Sequence, residues 1–266
     1  MELNGKGIVV CPNTGLGDVI VMNGAVRYLA KKYQEVHLLS LPCNFKHLEF
    51  IYRNEPNIKT YYIVQPQSPR QVMLRFKKAY SHIKKLNPHI KFDPYKFHWC
   101  HSSKWAKTAK KLRLGKNTIW QKIFYKHLGV PYEVRYSHFD IPRDHDAEQE
   151  LLGSLNLPKK YAFVVNKTSS RNAIFNVTPE TDLPIVNPTD FDRGYRPLSS
   201  TLLFDWSKII ENAKEIHTVD TGWMHLIRSL KLKVPKFFYD QRNVFFSQAD
   251  EYLNDKGDSG WTRIKP

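Results

Sequence analysis

Short apolar runs, each handing over to a segment of helical period, recur along this chain and restrict it to a layered α/β fold. Gly7 to Cys11 (Gly-Ile-Val-Val-Cys) shows no polar alternation, as expected of a strand buried on both faces. Pro12 to Gly17 is loop chemistry. Val19, Met22, Val26, Leu29, Ala30 and Tyr33 then recur at helical spacing. Val36 to Leu41 reads as the next strand, stopped by Pro42. A shorter helix around Lys46 to Arg53 and a strand from Lys59 to Val64 continue the alternation. Strand, helix, strand, helix, strand is the pattern of a parallel sheet joined by crossover helices.

The pattern restarts in the second half. Glu148 to Leu155 reads as a short helix, Tyr161 to Asn166 as a strand, and Leu183 to Val186 as another. Trp206, Ile209, Ile210, Ala213 and Ile216 make one helical face. Ile216 to Val219 is a short strand, Trp223 to Leu230 a helix, Val234 to Tyr239 a strand, and Val244 to Leu253 a last helix. Between the halves, residues around Ser137 to Asp144 read as a linker, with Pro142 marking the crossing. The chain has 266 residues, which suits two domains of about 130 residues each. The expected fold is therefore α/β: two Rossmann-like domains with parallel sheets, residues 1–140 and 141–266.

Charge is the feature most unevenly spread. Between Arg70 and His127 there are 16 Lys or Arg and one acid, Asp93, whereas the rest of the chain carries 25 basic and 24 acidic residues. The net charge of +16 is thus regional and marks a surface that meets something anionic. This segment reads mostly as helices and loops, with Lys104 to Leu114 and Ile119 to Leu128 as the helices and Asn87-Pro88 and Asp93-Pro94 as breaks. Aromatics such as Phe76, Tyr80, Phe92, Trp99, Trp105 and Trp120 interleave with its cations. That composition suits a single-stranded nucleic acid, an acidic glycan stacked on rings, or an anionic membrane. It also suits a plain core with a solvated lysine face. No stretch of about 18 apolar residues is present, so no transmembrane helix is expected. The N-terminus lacks the order of a signal peptide. Cys11, Cys43 and Cys100 form no paired set, so reduced thiols and a cytoplasmic location are expected, with peripheral membrane contact an open option.

Two glycine-aspartate turns stand where a strand gives way to a helix. In Gly15-Leu16-Gly17-Asp18 the glycines permit a sharp turn and close approach of a ligand, and the first N–H groups of the helix point beyond the strand end. Asp18 either caps that helix or faces a ligand as a base. The turn is no dinucleotide fingerprint, because a third glycine is missing. Asp220-Thr221-Gly222 repeats the strand-turn-helix arrangement, with His225 one turn on as a packed residue or a ligand contact. Upstream, Asn166-Lys167-Thr168-Ser169-Ser170-Arg171 follows a strand end with two cations and three hydroxyls, either a phosphate cradle or a polar surface loop.

Together these residues resemble the heptosyltransferase family of GT-B glycosyltransferases. The resemblance rests on Gly15-Leu16-Gly17-Asp18-Val19-Ile20 and Asp220-Thr221-Gly222-Trp223-Met224-His225-Leu226, in that order and spacing. It spans the first 40 residues and about Tyr161 to Tyr239; Arg70 to Asp140 carries no match. It implies two Rossmann-like domains facing a central cleft, the first binding the acceptor beside Gly15 and Gly17, the second binding a nucleotide-sugar donor. It further implies Asp18 as general base, Lys167, Thr168 and Ser169, with Arg171, around the donor diphosphate, and Asp220, Thr221, Gly222 and His225 around its phosphates and sugar. No cofactor or metal is called for where protein cations stabilise the leaving diphosphate. The chain departs from the family in its length and in having Asn166-Lys167-Thr168 where a glycine-rich loop is usual, so heptose transfer in particular is not implied.

The expected activity is therefore transfer of a sugar from a nucleotide-diphosphate sugar to a hydroxyl of an anionic glycan or glycolipid acceptor. Two other classes remain open: a nucleic-acid-binding α/β protein using residues 70–127, which has charge but no recognised motif, and another nucleotide-sugar enzyme such as an epimerase. Asp190-Phe191-Asp192 has the Asp-x-Asp pattern of metal-binding transferases but lies in an expected loop. His98-Trp99-Cys100-His101 lacks a second ligand pair at zinc spacing.

Overall fold

The structure, a computed structural model, describes residues 5–11, 15–63, 69–94, 96–97, 120–167, 174–191, 202–241 and 260–265. Thr168, Ser169, Arg171, the expected helices 104–114 and 244–253, and the His98–His101 cluster lie outside them. The chain divides into two compact units, Met1–Pro142 and Arg143–Pro266.

The first unit contains β1 (Lys6–Cys11), α1 (Leu16–Ala30), β2 (Glu35–Ser40), α2 (Pro42–Ile51), β3 (Ile58–Tyr62), α3 (Pro69–Leu86), β4 (Lys91–Phe92), β5 (Lys96–Phe97), α4 (Trp120–Leu128) and α5 (Val134–Ser137). Its sheet runs β3-β2-β1, with β4 and β5 both pairing the far side of β1, all parallel. Lys6↔Lys91 and Gly7↔Phe92 are followed by Val10↔Lys96 and Cys11↔Phe97, so β4 and β5 form one edge interrupted around Pro94, which has no N–H for a ladder. Pro42 does more than end β2: it is the first residue of α2, where its fixed φ favours a helix start.

Helix α1 is buried on nearly every side. Val19, Ile20, Met22, Ala25, Val26 and Leu29 are all covered, and so are its polar residues Asn23 and Arg27. The Asn23 side chain exchanges two hydrogen bonds with the Asp140 main chain, at 2.8 and 2.9 Å. Arg27 donates to the carbonyls of Asp140 (3.2 Å) and Ile51 (2.9 Å) and pairs with Glu55 and Asp140. Tyr125 of α4 donates to the Val21 carbonyl at 2.9 Å. A helix packed all round shows little amphipathic contrast, which explains its near-continuous apolar sequence.

The second unit contains α6 (His145–Ser154), β6 (Ala162–Val165), β7 (Ile185–Val186), α7 (Pro188–Phe191), a 3-10 turn (Leu203–Trp206), α8 (Ser207–Asn212), β8 (Glu215–Thr218), α9 (Gly222–Ser229), β9 (Lys236–Tyr239) and β10 (Trp261–Ile264). Its parallel sheet is ordered β10-β9-β8-β6-β7. Phe163, Phe191, Trp206 and Trp223 form an aromatic cluster with ring centroids 5.6–6.3 Å apart. The Asp-x-Asp segment is not a loop as far as it is described: Asp190 sits on the single turn α7, its N–H bonded to the Asn187 carbonyl. Asp192 lies outside the described residues.

One arrangement occurs in both sheets. Buried His37 on β2 meets Glu35 at 2.9 Å through Nε2 and the Tyr61 hydroxyl at 3.2 Å through Nδ1. Buried His217 on β8 meets Glu215 at 3.3 Å and the Tyr239 hydroxyl at 3.1 Å through the same two nitrogens. Burial lowers the pKa of both rings, opposed by the glutamate beside each.

Candidate active site

Strand order places the sequence-predicted residues. In the first sheet the chain leaves β1 toward β2 on one side, while β4 and β5 flank it on the other. The carboxyl end of β1 is therefore the topological switch point, where open parallel sheets bind ligands. Gly15 to Asp18 opens α1 there. Cys11, the last residue of β1, is buried, and desolvation pushes its thiol well above the usual range. That makes it an inert neighbour of the turn and no nucleophile.

The geometry of this turn corrects one expectation. Gly15 is the N-cap of α1 with φ −87° and ψ 145°, ordinary extended backbone open to any residue. Conformational freedom is not what glycine supplies here. A Cβ on Gly15 would lie 3.0 Å from Asp18 Oδ2, the oxygen that accepts the Gly15 N–H at 3.1 Å. Glycine leaves room for the Asp18 carboxylate to fold back on the helix start. The capping role weighed for Asp18 is thus present: a third-position acid satisfies an N-cap N–H and meets the positive end of the helix dipole.

In the second sheet the connection from β6 runs to β7, and that from β8 runs the opposite way to β9. The crevice between the carboxyl ends of β6 and β8 is the switch point of this unit. Val165 is in register with Thr218, so Asn166-Lys167 and Val219-Asp220-Thr221 leave the sheet side by side. Two segments 53 residues apart in sequence, Lys167 and Asp220, become neighbours in the fold. Thr221 is the N-cap of α9, its hydroxyl accepting the Met224 N–H at 3.4 Å. Gly222 is the first helical residue. His225 is buried within α9 at 5% exposure.

Lys167 is half-buried and bridges antiparallel to Ile174, while the Phe175 N–H donates to the Asn166 carbonyl at 2.8 Å. These contacts bring together Asn166-Lys167 and Ile174-Phe175, the described residues on either side of Thr168, Ser169 and Arg171. Buried Asn187, which sequence reasoning did not single out, holds Asn166 from the side. Its Nδ2 donates to Asn166 Oδ1 at 3.0 Å, and its Oδ1 accepts from the Thr189 N–H and hydroxyl at 3.0 and 2.8 Å. An asparagine directly after a strand and before a proline was its only signal.

A cavity of about 390 Å³ in the second unit, lined by Leu152, Leu155, Tyr161, Asn212 and Lys214 among others, lies elsewhere. Tyr161 precedes β6 and Lys214 precedes β8, so it opens at the amino ends of the strands, away from the Asp220–Gly222 turn of the same unit.

No family model matches this sequence, and no curated protein matches it. Solved structures do. The glycosyl transferase family 9 from Veillonella parvula DSM 2008 aligns with 100% of the chain and 88% of its own, at TM-score 0.57 and 18% identity. E. coli ADP-heptose lps heptosyltransferase II aligns with 97% of the chain and 90% of its own, at TM-score 0.50 and 12% identity. The fold is that of GT-B glycosyltransferases. At these identities the likeness is one of architecture, with parallel α/β sheets in both units.

Proposed function

We propose that this protein is a glycosyltransferase that moves a sugar from a nucleotide-diphosphate sugar to a hydroxyl of an anionic glycan acceptor, with Asp18 as general base and without a metal. The observation that carries the reading is the placement of both glycine-aspartate turns at the carboxyl-end switch points of their sheets, in a chain with a glycosyltransferase fold.

On this reading the donor lies at the β6–β8 crevice of the second unit. The diphosphate takes the first-turn N–H groups of α9 and the Lys167 ammonium, which gather the charge that grows on the leaving group. An ionised Asp220 would repel a diphosphate, so it accepts hydrogen bonds from sugar hydroxyls instead. Asp18 takes the proton of the attacking acceptor hydroxyl as the anomeric carbon–oxygen bond to the diphosphate breaks. Its bond from the Gly15 N–H fixes the orientation of the carboxylate at the start of α1.

Two measurements test this. Thermal shifts against UDP-, GDP- and ADP-sugars, with an oligonucleotide control, should give stabilisation by one sugar nucleotide and not by the oligonucleotide. Asp18→Asn preserves an oxygen for the Gly15 N–H while removing the charge. It should abolish transfer and leave donor binding near wild type; turnover close to wild type would remove Asp18 from the mechanism. Sugar-nucleotide conversion in the absence of any acceptor would point to an epimerase instead.

A further inference from the structure

We propose that the outward face of α3 docks the protein on an anionic lipid bilayer. The helix runs 18 residues from the carboxyl end of β3 toward the amino end of β1, where β4 pairs. Its inner face is consumed by the core: Phe76 and Ile83 are buried with Val9, Leu39 and Ile63, and Ala79, Tyr80 and Phe92 pack beside them. The opposite face is built otherwise. Leu74, Lys78, Ser81 and Lys85, spaced four, three and four residues apart, form one line along the most exposed side. Lys77, His82 and Lys84 flank that line and are exposed as well.

No acid lies on α3. Asp93, the one acid in the segment, is engaged elsewhere, by Lys6 at 3.1 Å and the Tyr33 hydroxyl at 2.9 Å. None of Lys77, Lys78, Lys84 and Lys85 pairs with a carboxylate among the described residues. The face therefore presents uncompensated positive charge, complementary to an anionic surface.

The apolar residue on this face favours lipid over nucleic acid. Leu74 is 59% exposed, whereas of the aromatics of α3 Phe76 is buried and Tyr80 is half-buried against the core, with Lys84 Nζ 5.6 Å from its ring centroid. A single-strand binder needs rings on its charged face for bases to stack on, and the outward line of α3 has none. Lysines at headgroup level with a leucine reaching the acyl boundary are how a helix lies on an anionic membrane. Among the described residues no helix is long and apolar enough to cross one.

Sedimentation with phosphatidylcholine vesicles, with and without phosphatidylglycerol, tests this on the full chain with no sugar nucleotide present, so the result is independent of the transferase reading. Binding is expected only with phosphatidylglycerol and should vanish at about 0.5 M salt. Each lysine near an anionic surface is worth about fivefold in affinity, so the K77Q/K78Q/K84Q/K85Q variant should bind about 600-fold more weakly with an unchanged circular dichroism spectrum. Leu74→Ser should lose about tenfold. Equal binding to both vesicle types would overturn the proposal, as would a quadruple variant that binds like wild type. Tighter binding to single-stranded RNA than to vesicles, with Leu74→Ser silent, would also overturn it and assign the face to nucleic acid.

Discussion

Helix α1 contains a glycine at position 24 where propensity alone would favour alanine. An exposed mid-helix Gly→Ala change stabilises by about 1 kcal/mol. Here the added Cβ would sit 2.5 Å from the Val134 carbonyl oxygen, 2.9 Å from Arg135 Cα and 3.0 Å from the Arg135 carbonyl oxygen. All three are main-chain atoms of α5, so no side chain can swing aside. Ordinary contact requires α5 to retreat by about 1 Å, in the range where overpacking costs about 1–3 kcal/mol. The Tyr132 and Arg135 contacts of that turn, including the Arg135 bond to the Tyr132 hydroxyl at 2.6 Å, move with it. The net expectation for Gly24→Ala is destabilisation by up to about 2 kcal/mol. Hydrogen exchange read by mass spectrometry across a urea series measures this locally. Amides of α1 should lose protection at lower urea, while those of α9, in the other unit, should not shift. A variant in which α1 becomes more protected would refute the close-contact argument and restore propensity as the governing effect.

Acid should weaken the first unit through His47. Burial pushes this ring down from 6.5 to about 4, so it is neutral in the folded state. The stability this represents is complete above pH 6.5 and is lost as pH falls from there toward 4, a loss of about 3 kcal/mol; His47→Leu should flatten that part of a stability-against-pH curve. Thr221→Val removes the acceptor for the Met224 N–H and should cost about 1 kcal/mol. The same change should weaken binding of the sugar nucleotide that stabilises the wild type in a thermal-shift titration.

Most strands were legible because a parallel strand buried on both faces has no polar alternation to confuse with a helix; Ile8 to Val10 and Phe163 to Val165 show this plainly. Elements that depend on a neighbour were not. Trp261 to Ile264 (Trp-Thr-Arg-Ile) has neither an apolar run nor strict alternation, and it is a strand because β9 offers it an edge. β4 and β5 have two residues each and exist only as partners of β1. In α3 the apolar positions are thinly spread among lysines, so its periodicity was masked by charge. At the candidate site the two turns could be found, but the juxtaposition of Lys167 with Asp220 could not, since it follows from β6 and β8 pairing across the intervening β7 and α8. The reason for Gly15 was also hidden, because nearness to a carboxylate leaves no mark on the sequence.

The twin histidines allow the halves of the chain to be set in correspondence. Each histidine takes its glutamate from two residues earlier on its own strand and its tyrosine from the adjacent strand, two positions beyond the registered partner: Lys59 then Tyr61, and Phe237 then Tyr239. Matching these triplets equates β2 with β8 and β3 with β9, and hence β1 with β6 by place in the sheet. The counterpart of the Gly15–Asp18 turn is then Asn166-Lys167, and the counterpart of Asp220–Gly222 is Leu41-Pro42. The two glycine-aspartate turns are not copies of one element. They occupy different sheet positions, each suited by its own strand order, so a change engineered into one has no equivalent in the other.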